Sequence, residues 1–497
     1  MANKDALESI PIGFVCGAMP QDPVEAYGLW GRERISRLFE FDIVLARPKP
    51  YTDDELDTLL MTPCAVAMGT NNGDVVHGIL ERVRSIDAAR SVAARYIARL
   101  VPTVWLLTLS RTSRIYQNMS VPDMVRFILG SYGMKEDEHF EVRVNHQKKS
   151  PVREYIAQYQ ESDWDFIQRW LEQEGFFYWF KHTKTGEVLV IADDNGDATP
   201  VAEPSVISYR ERNNLSTGGD ATVWDFSLEQ RRIPARVAVF DYNYRTPTVP
   251  MVARAEVDAA RGFGSVFYYG EHFKDTDTGE AVAKLRAERL LAQRRIYTGR
   301  TDCSRFRVGH TFELENHHDA ANDGKYLITG IEHRAGFPLL PDRDDLGDAP
   351  QRYFARFEAI PLEVAYRPEQ RTPWPRVHGI MHAHIDGDTS GDYAELDAQG
   401  RYRVRMPFDV SGAKGQKASR WVRMAQPYSG PGYGSHHPLH KGTEVLIAHI
   451  DGDPDRPIIV GSVPNPHTPS PSTSANATQS VIQTASGIRI EMEDLQT

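Results

Sequence analysis

The chain has 497 residues, 41% of them hydrophobic and 25% charged, and its acidic side chains outnumber the basic ones 68 to 57 for a formal charge of −11. Such a length suits about three domains, the composition excludes disordered, collagen-like and disulfide-scaffold classes, and a dedicated nucleic-acid binder would carry a basic surplus that is absent here. Cys16, Cys64 and Cys303 lie far apart and outside any C-x-x-C, which excludes a zinc ribbon or a thioredoxin motif and fits a reduced compartment. No run approaches 18 apolar residues, so no transmembrane helix is expected. The apolar stretch from Ile10 to Met19 follows Asp5 and Glu8 and is broken by Pro11, Gly13 and Gly17. It reads as an early strand rather than a cleaved leader.

The following 350 residues are dominated by strand patterns. Arg37 to Leu45 alternates apolar and polar residues for part of its length, Val75 to Val83 carries a second strand around Gly78, and Tyr96 to Leu109 a third, with Trp105 and Leu107 in its second half. Ser120-Val121-Pro122-Asp123 opens a helix, with serine as cap, proline in the first turn and aspartate at the positive helix end; Val125, Ile128 and Leu129 continue it to Gly130. A second helix is better marked. Ser162-Asp163-Trp164-Asp165 resembles a capping box, Phe166, Ile167, Trp170 and Leu171 form one apolar face, and Gly175 supplies the left-handed end. The aromatic run Phe176 to Phe180, the turn Thr183 to Gly186 and the returning strand Val188 to Ile191 complete a helix–strand–turn–strand unit. A third helix is expected over Thr278 to Arg295, a strand over Tyr326 to Ile331 after the turn Asn322-Asp323-Gly324, and a charged loop over Asp342 to Asp348.

Arg367 to Pro375 holds three prolines and marks a domain boundary. Beyond it, Val377 to Ile385, Tyr402 to Phe408, Trp421 to Gln426, Glu444 to His449 and Pro457 to Val463 are five short strands in about 90 residues, the count of an OB-fold barrel. Pro464 to Gln479 is a Pro/Ser/Thr/Asn linker, and Val481-Ile482 and Ile488 to Met492 alternate around Ser486-Gly487. Two strands cannot bury a face alone. Either copies from neighbouring chains complete this tail, or it is disordered.

Catalytic signatures are scarce. G-x-S-x-G, H-E-x-x-H and the phosphate-loop motif do not occur, and Gly430-x-Gly432-x-Gly434 has the wrong spacing for a dinucleotide site. His382-x-His384 or His436-His437-x-x-His440 would offer zinc two ligands, against the plainer reading of exposed rim histidines; His317-His318 forms a third cluster. Asp451-Gly452-Asp453-Pro454-Asp455 mimics the start of a calcium loop, but Arg456 stands where glycine is needed and Ser462 where glutamate is needed, so a tight acidic turn is expected. Remote carboxylate pairs leave glycoside hydrolysis open as a second reading. The run Phe176 to Phe180 reads as core, with a sugar-stacking platform as the alternative.

Glu161-Ser162-Asp163-Trp164-Asp165-Phe166-Ile167-Gln168-Arg169-Trp170-Leu171-Glu172-Gln173-Glu174-Gly175-Phe176-Phe177-Tyr178-Trp179-Phe180 resembles the E-S-D-x-x-F-x-x-R-L-x-E-x-E-G-x-x-Y-x-F hallmark of the VgrG family, the spike proteins of the type VI secretion system. Tyr402 to Asp409, with Pro407, resembles the family's K-V-x-F-P-W-D strand; Trp421-Val422-Arg423-Met424-Ala425-Gln426-Pro427 resembles W-V-R-V-A-Q-P. Gly442-Thr443-Glu444-Val445-Leu446 resembles G-x-E-V-L, Gly452-Asp453-Pro454-Asp455-Arg456-Pro457 resembles G-D-P-D-R-P, and Ser486-Gly487-Ile488-Arg489-Ile490 resembles the start of the family's needle. The match spans nearly the whole chain. Arg420 departs from a frequent cysteine, and Pro438-Leu439-His440-Lys441 from a frequent apolar–Pro–Arg.

The resemblance implies a mainly β, β-rich α+β fold. Residues 1–366 would be similar to a phage tail hub with two barrel-like β domains and short helices, 376–465 an OB-fold, 466–480 a linker and 481–497 the start of a triple-stranded β-helix. It implies a structural homotrimer at the tip of a contractile injection machine, with no enzymatic activity and no cofactor, that caps the tube, punctures target envelopes and delivers effectors. The implied partners are an Hcp-like tube hexamer, a PAAR-like tip protein with effectors, and baseplate proteins, with no nucleic acid and no integral membrane segment. Assembly would occur in the bacterial cytoplasm, with export that needs no cleaved signal peptide. A contractile phage tail hub shares the fold and is the alternative. The motif residues Glu161, Ser162, Asp163, Phe166, Arg169, Glu172, Glu174, Gly175, Tyr178, Pro407, Trp421, Val422, Arg423, Gly442, Glu444, Gly452, Asp453, Pro454, Arg456, Pro457 and Gly487 are implied to be structural.

Overall fold

In the computed structural model, residues 12–68, 75–86, 93–144, 150–211, 221–336, 353–388, 391–414 and 417–495 are described; the expected loop Asp342 to Asp348 lies outside them. Two units emerge. The first comprises Met1–Leu109, Val121–Pro151 and Trp164–Pro373; the second comprises Ser110–Ser120, Val152–Asp163 and Trp374–Thr497.

The first unit is built on two closed rings of strands. In one, Ile12–Cys16, Pro63–Met68, Val75–Ile86, Ala94–Val101, Glu40–Arg47 and Glu25–Arg34 follow in order, and Ile12 pairs with Ala26 to close the ring. In the other, Gly324–Gly336, Phe354–Pro361, Arg295–Thr301, Thr222–Gln230, Val206–Tyr209 and His310–Glu315 return to the first of them through Thr311↔Leu327. Closure removes the exposed edges that strands otherwise present. The rings share a seam, where Glu25–Arg34 runs antiparallel to Gly324–Gly336 from Gly28↔Gly336 to Arg34↔Gly330. Phe41 to Leu45 is buried without interruption, as in a strand covered on both faces. The expected strand through Trp105 and Leu107 stops at Val101. Pro102 has no amide hydrogen to donate to a ladder, and Thr103–Thr108 winds into a 3-10 helix.

Two smaller layers pack within this unit. The helix Asp163–Glu174 precedes Phe177–His182, which pairs antiparallel with Glu187–Ala192, itself parallel to Phe140–Arg143. The expected helix–strand–turn–strand unit is therefore present, and Phe176 to Phe180 is core. In the second layer, Arg236–Asp241 lies between Met251–Glu256 and Ser265–Tyr269, and the helix Thr276–Leu291 covers one face through Ala283 on Val239, Met251 and Ala253. That helix starts earlier than expected because Asp275 caps it, accepting from the Thr278 amide at 2.8 Å. It stops before Arg295, which joins the strand opposite Gln230.

The second unit holds a sheet ordered Arg403–Arg405, Ile380–Asp386, Glu444–His449 and Pro457–Ser462. The expected strand Trp421 to Gln426 takes part through single bridges, Tyr402↔Val422 and Met424↔Ile459. A pair from much earlier in the chain, Arg111–Tyr116 with Ile156–Ser162, belongs to the same unit. Ile115, Tyr155 and Ala157 share one core with Val404, Val422, Val445 and Ile459. Near the end, Gln479–Gln483 pairs with Arg489–Glu493 around Gly487 (φ +90°).

Candidate functional site

Two clusters gather most of the motif residues, one in each unit. In the first unit the helix Asp163–Glu174 ends by geometry. The Phe176 amide donates to the Leu171 carbonyl at 2.9 Å and Gly175 adopts φ +73°, the paired bonding of a Schellman end. A β-carbon on Gly175 would lie 2.5 Å from Leu285 Cδ1 and 3.1 Å from Arg367 Cδ, so both conformation and space select glycine.

Glu172 sits one turn earlier and is 1% exposed. Its Oε1 accepts from Arg37 Nη1 at 3.1 Å, Gln168 Nε2 at 3.0 Å and Thr372 Oγ1 at 3.0 Å; its Oε2 accepts from the backbone amides of Arg371 and Thr372, both at 2.9 Å. One carboxylate therefore fixes the last residues of this unit against its central helix. Charge-assisted bonds of this kind are the stronger class. Tyr178 is fully buried, and its hydroxyl donates to Gln168 Oε1 at 2.6 Å. Burial raises its pKa, with the Glu172 charge acting the same way, so it remains a neutral donor. Arg169, 1% exposed, lies 4.9 Å from the ring centre of fully buried Phe166. Glu174 is buried at the helix end.

At the seam of the rings stands a buried polar group that the sequence reading missed. Glu33 Oε1 lies 2.7 Å from His333 Nε2 and 3.3 Å from Arg307 Nη1, and His333 Nδ1 lies 2.6 Å from the Tyr353 hydroxyl. Burial pushes the Glu33 carboxyl up, but the Arg307 charge and the His333 hydrogen bond outweigh it and bring its pKa down to about 2. Burial lowers the His333 pKa against the pull of Glu33. The neutral imidazole thus donates from Nε2 to the carboxylate and accepts at Nδ1 from tyrosine. Nothing in the local sequence marks these residues. Glu33 and His333 lie on two paired strands, Arg307 in the loop before His310–Glu315 and Tyr353 just before Phe354–Pro361, and only the fold brings them together.

In the second unit, Asp163 Oδ1 accepts from Gln158 Nε2 at 2.6 Å and Thr112 Oγ1 at 3.1 Å, and Glu161 Oε1 accepts from the Tyr159 amide at 3.3 Å. Ser162 is buried opposite Arg111. The turn Asp451 to Arg456 is as tight as expected. Asp451 and Gly452 take φ +55° and +69°, Asp453 Oδ1 accepts from the Asp455 amide at 2.9 Å, and the Arg456 amide donates to the Asp453 carbonyl at 2.9 Å. Pro454 and Pro457 are buried. Asp455 Oδ1 reaches out of the turn to accept from the Ala157 amide at 2.6 Å, so the acidic turn holds the early strand in the late barrel.

The other motif positions are more dispersed. Val422 is buried and exchanges both backbone bonds with Tyr402, the Arg423 carbonyl accepts from Ile459, and the Trp421 ring lies 4.4 Å below the Arg403 guanidinium. Glu444 accepts from His382 Nδ1 at 2.6 Å and from Asn465 Nδ2 at 2.8 Å. Gly442 (φ +83°) and Gly487 turn the chain, and Pro407 is exposed. Of the histidines, His382 meets Glu444, and His436 lies between Tyr402 and Gln426 through Nε2 at 3.2 Å and Nδ1 at 3.1 Å. The His440 ring lies 4.2 Å from that of Tyr393, tilted by 52°.

Residues 32–337 match the family model of the phage tail baseplate hub, and residues 393–463 match that of the type VI secretion system/phage-baseplate injector OB domain. The type VI secretion system spike protein VgrG1a of Pseudomonas aeruginosa is 30% identical over 471 residues, 92% of this chain and 70% of that protein. VgrG1c of the same organism is 31% identical over 466 residues, 91% of this chain; the chain spans 61% of its length. The actin cross-linking toxin VgrG1 of Vibrio cholerae is 29% identical over 415 residues, 82% of this chain and 37% of that protein. Among solved structures, the E. coli c3393 protein, a type VI secretion component with structural similarity to T4 bacteriophage tail proteins gp27 and gp5, superposes with a TM-score of 0.65 at 25% identity over 91% of this chain and 100% of its own. With its two β rings, its OB domain and these relatives, the chain belongs to the VgrG family of type VI secretion spike proteins.

Proposed function

We propose that this chain is one third of a trimeric hub and spike at the tip of a contractile injection machine, where it caps the tube, breaches the target envelope and carries effectors. The observation that carries the reading is the hairpin Gln479–Gln483/Arg489–Glu493. It leaves Ile482, Ile490 and Met492 roughly half exposed, and such a two-strand ribbon is marginal alone. Identical hairpins from two further chains would cover those side chains and continue as a triple-stranded needle, with the linker expected over 466–480 ending where the hairpin starts at Gln479. Two rings per chain would present six related β units to a six-fold tube. The tube hexamer, the tip protein and the baseplate proteins are its partners in this reading, and it leaves the cytoplasm with the machine rather than through a cleaved leader. Its work is mechanical, and its motif residues serve rigidity rather than turnover. A contractile phage tail hub shares the fold, and the hub family match supports that second reading.

Static light scattering tests the proposal. Purified protein is expected at about three times the 56.1 kDa chain mass. A monomer at every ionic strength overturns it.

A further inference from the structure

The three-stranded sheet of the first unit has one covered and one open face. Val237 and Val239 point to the helix Thr276–Leu291. The alternate residues form the opposite face. Phe240 lies between Val252 and Tyr269 in the register, and Ala238 lies between Arg254 and Phe267. Phe267 is 66% exposed and Tyr269 63%, and Phe263, two residues before the strand, is 79% exposed. Arg236 and Arg254 are exposed on the same face and make no ion pair or side-chain hydrogen bond among the described residues. Large exposed apolar patches are uncommon on a finished surface, and aromatic and arginine side chains are the types enriched in interfaces. In a chain of formal charge −11, two unpaired guanidiniums beside three aromatics form a local exception.

We propose that this open face is a docking surface for a partner segment that alternates apolar side chains with carboxylates. The charge pattern selects that occupant. The two guanidiniums, on the central strand and one edge strand, provide unused bidentate donors for carboxylates, and the aromatic row on the other edge strand provides the apolar contact beside them. Exposed Glu256, opposite Arg236 in the register, opposes any anion that spans this end of the sheet, so the segment's carboxylates must be spaced to meet the two arginines and to avoid Glu256, which a continuous run of phosphates cannot do. This inference goes beyond the spike assignment and does not depend on trimer formation.

Fluorescence anisotropy with the full chain and a labelled acidic–apolar peptide, DLEFDI, tests it. The expected result is saturable binding that weakens with salt and falls about tenfold or more when the peptide is replaced by its neutral analogue NLQFNI, or the protein by an Arg236→Glu/Arg254→Glu variant. Phe267→Ser/Tyr269→Ser should also lose binding while keeping the parent circular dichroism spectrum. Absent binding, equal binding of the neutral analogue, or unchanged binding by the arginine variant overturns the proposal. So does tighter binding of a thymidine oligonucleotide, which would assign the face to nucleic acid. A change in oligomeric mass in the arginine variant would assign it to a second copy of this chain and equally overturn it.

Discussion

Glu172 shows how much of a unit one buried motif carboxylate can tie together. Its five partners include two backbone amides and a hydroxyl from residues 371 and 372, which the sequence places two hundred residues away. Glu172→Ala would leave those donors facing an apolar gap. The expected loss is about 3 kcal/mol, at the low end for breaking a buried charged group because Arg37 can turn toward water. Differential scanning calorimetry should show a lower melting temperature, and hydrogen exchange should show faster exchange at the Arg371 and Thr372 amides. Unchanged exchange there would refute the anchoring role. The glycines divide by the same logic. Gly175→Val forces a branched residue into the left-handed region against Leu285 and should cost more than about 1 kcal/mol. Gly130 lies inside the helix Val121–Ser131, and a β-carbon there meets nothing within 4 Å. Gly130→Ala should therefore stabilise by about 0.5–1 kcal/mol. Thermal melts of the two variants should move in opposite directions.

At the scale of elements, what could be read in advance was local. The helix Asp163–Glu174 and its glycine end, the buried aromatic strand after it and the tight turn at Asp451 all follow from spacing within twenty residues. Errors arose where a neighbour decided the outcome: Arg295 left the expected helix because Gln230 offered it a ladder, and Trp421 to Gln426 bridges its neighbours at single points only. Least visible was the membership of Arg111–Tyr116 and Ile156–Ser162 in the second unit. Their alternation says that they are strands but not whose core they complete, because the bond from Ala157 to Asp455 spans 298 positions. The acidic turn is thus a long-range tie, and Asp455→Ala is expected to strand a buried amide and destabilise the second unit by about 1–3 kcal/mol. Asp451→Ala, at an exposed position of the same turn, should cost less; equal effects in urea unfolding would remove the special role of Asp455.

For the whole of the first unit, the seam between the two rings sets a response to acid that composition does not reveal. Near Glu33 and Arg307, burial and then the Arg307 charge bring the His182 pKa down to about 3 and the His310 pKa down to about 4. Glu33 is held at about 2. Other groups face this cluster: His77 approaches His182, Tyr353 bonds His333, and His333 bonds Glu33. The sign is the same for every shifted group of the cluster, since burial lowers the His333 and His77 pKa values as well. Between pH 6.5 and about 4 the unfolded chain protonates His182 and His310 and the folded chain does not, so unfolding takes up protons and stability falls as pH falls. Below 4.5 Glu33 adds to the loss, since its carboxyl accepts a proton in the unfolded chain and resists it in the fold. The two protons of His182 and His310 alone correspond to about 2.7 kcal/mol per pH unit at the steepest point. The melting temperature should therefore drop continuously from pH 7 to pH 4.5, and His182→Gln should reduce that slope by the share of one proton, about 1.4 kcal/mol per pH unit at its steepest, whatever it does to stability at pH 7. A melting temperature that stays level across this interval would mean that the histidines take up protons in the folded chain, and that the seam is open to water.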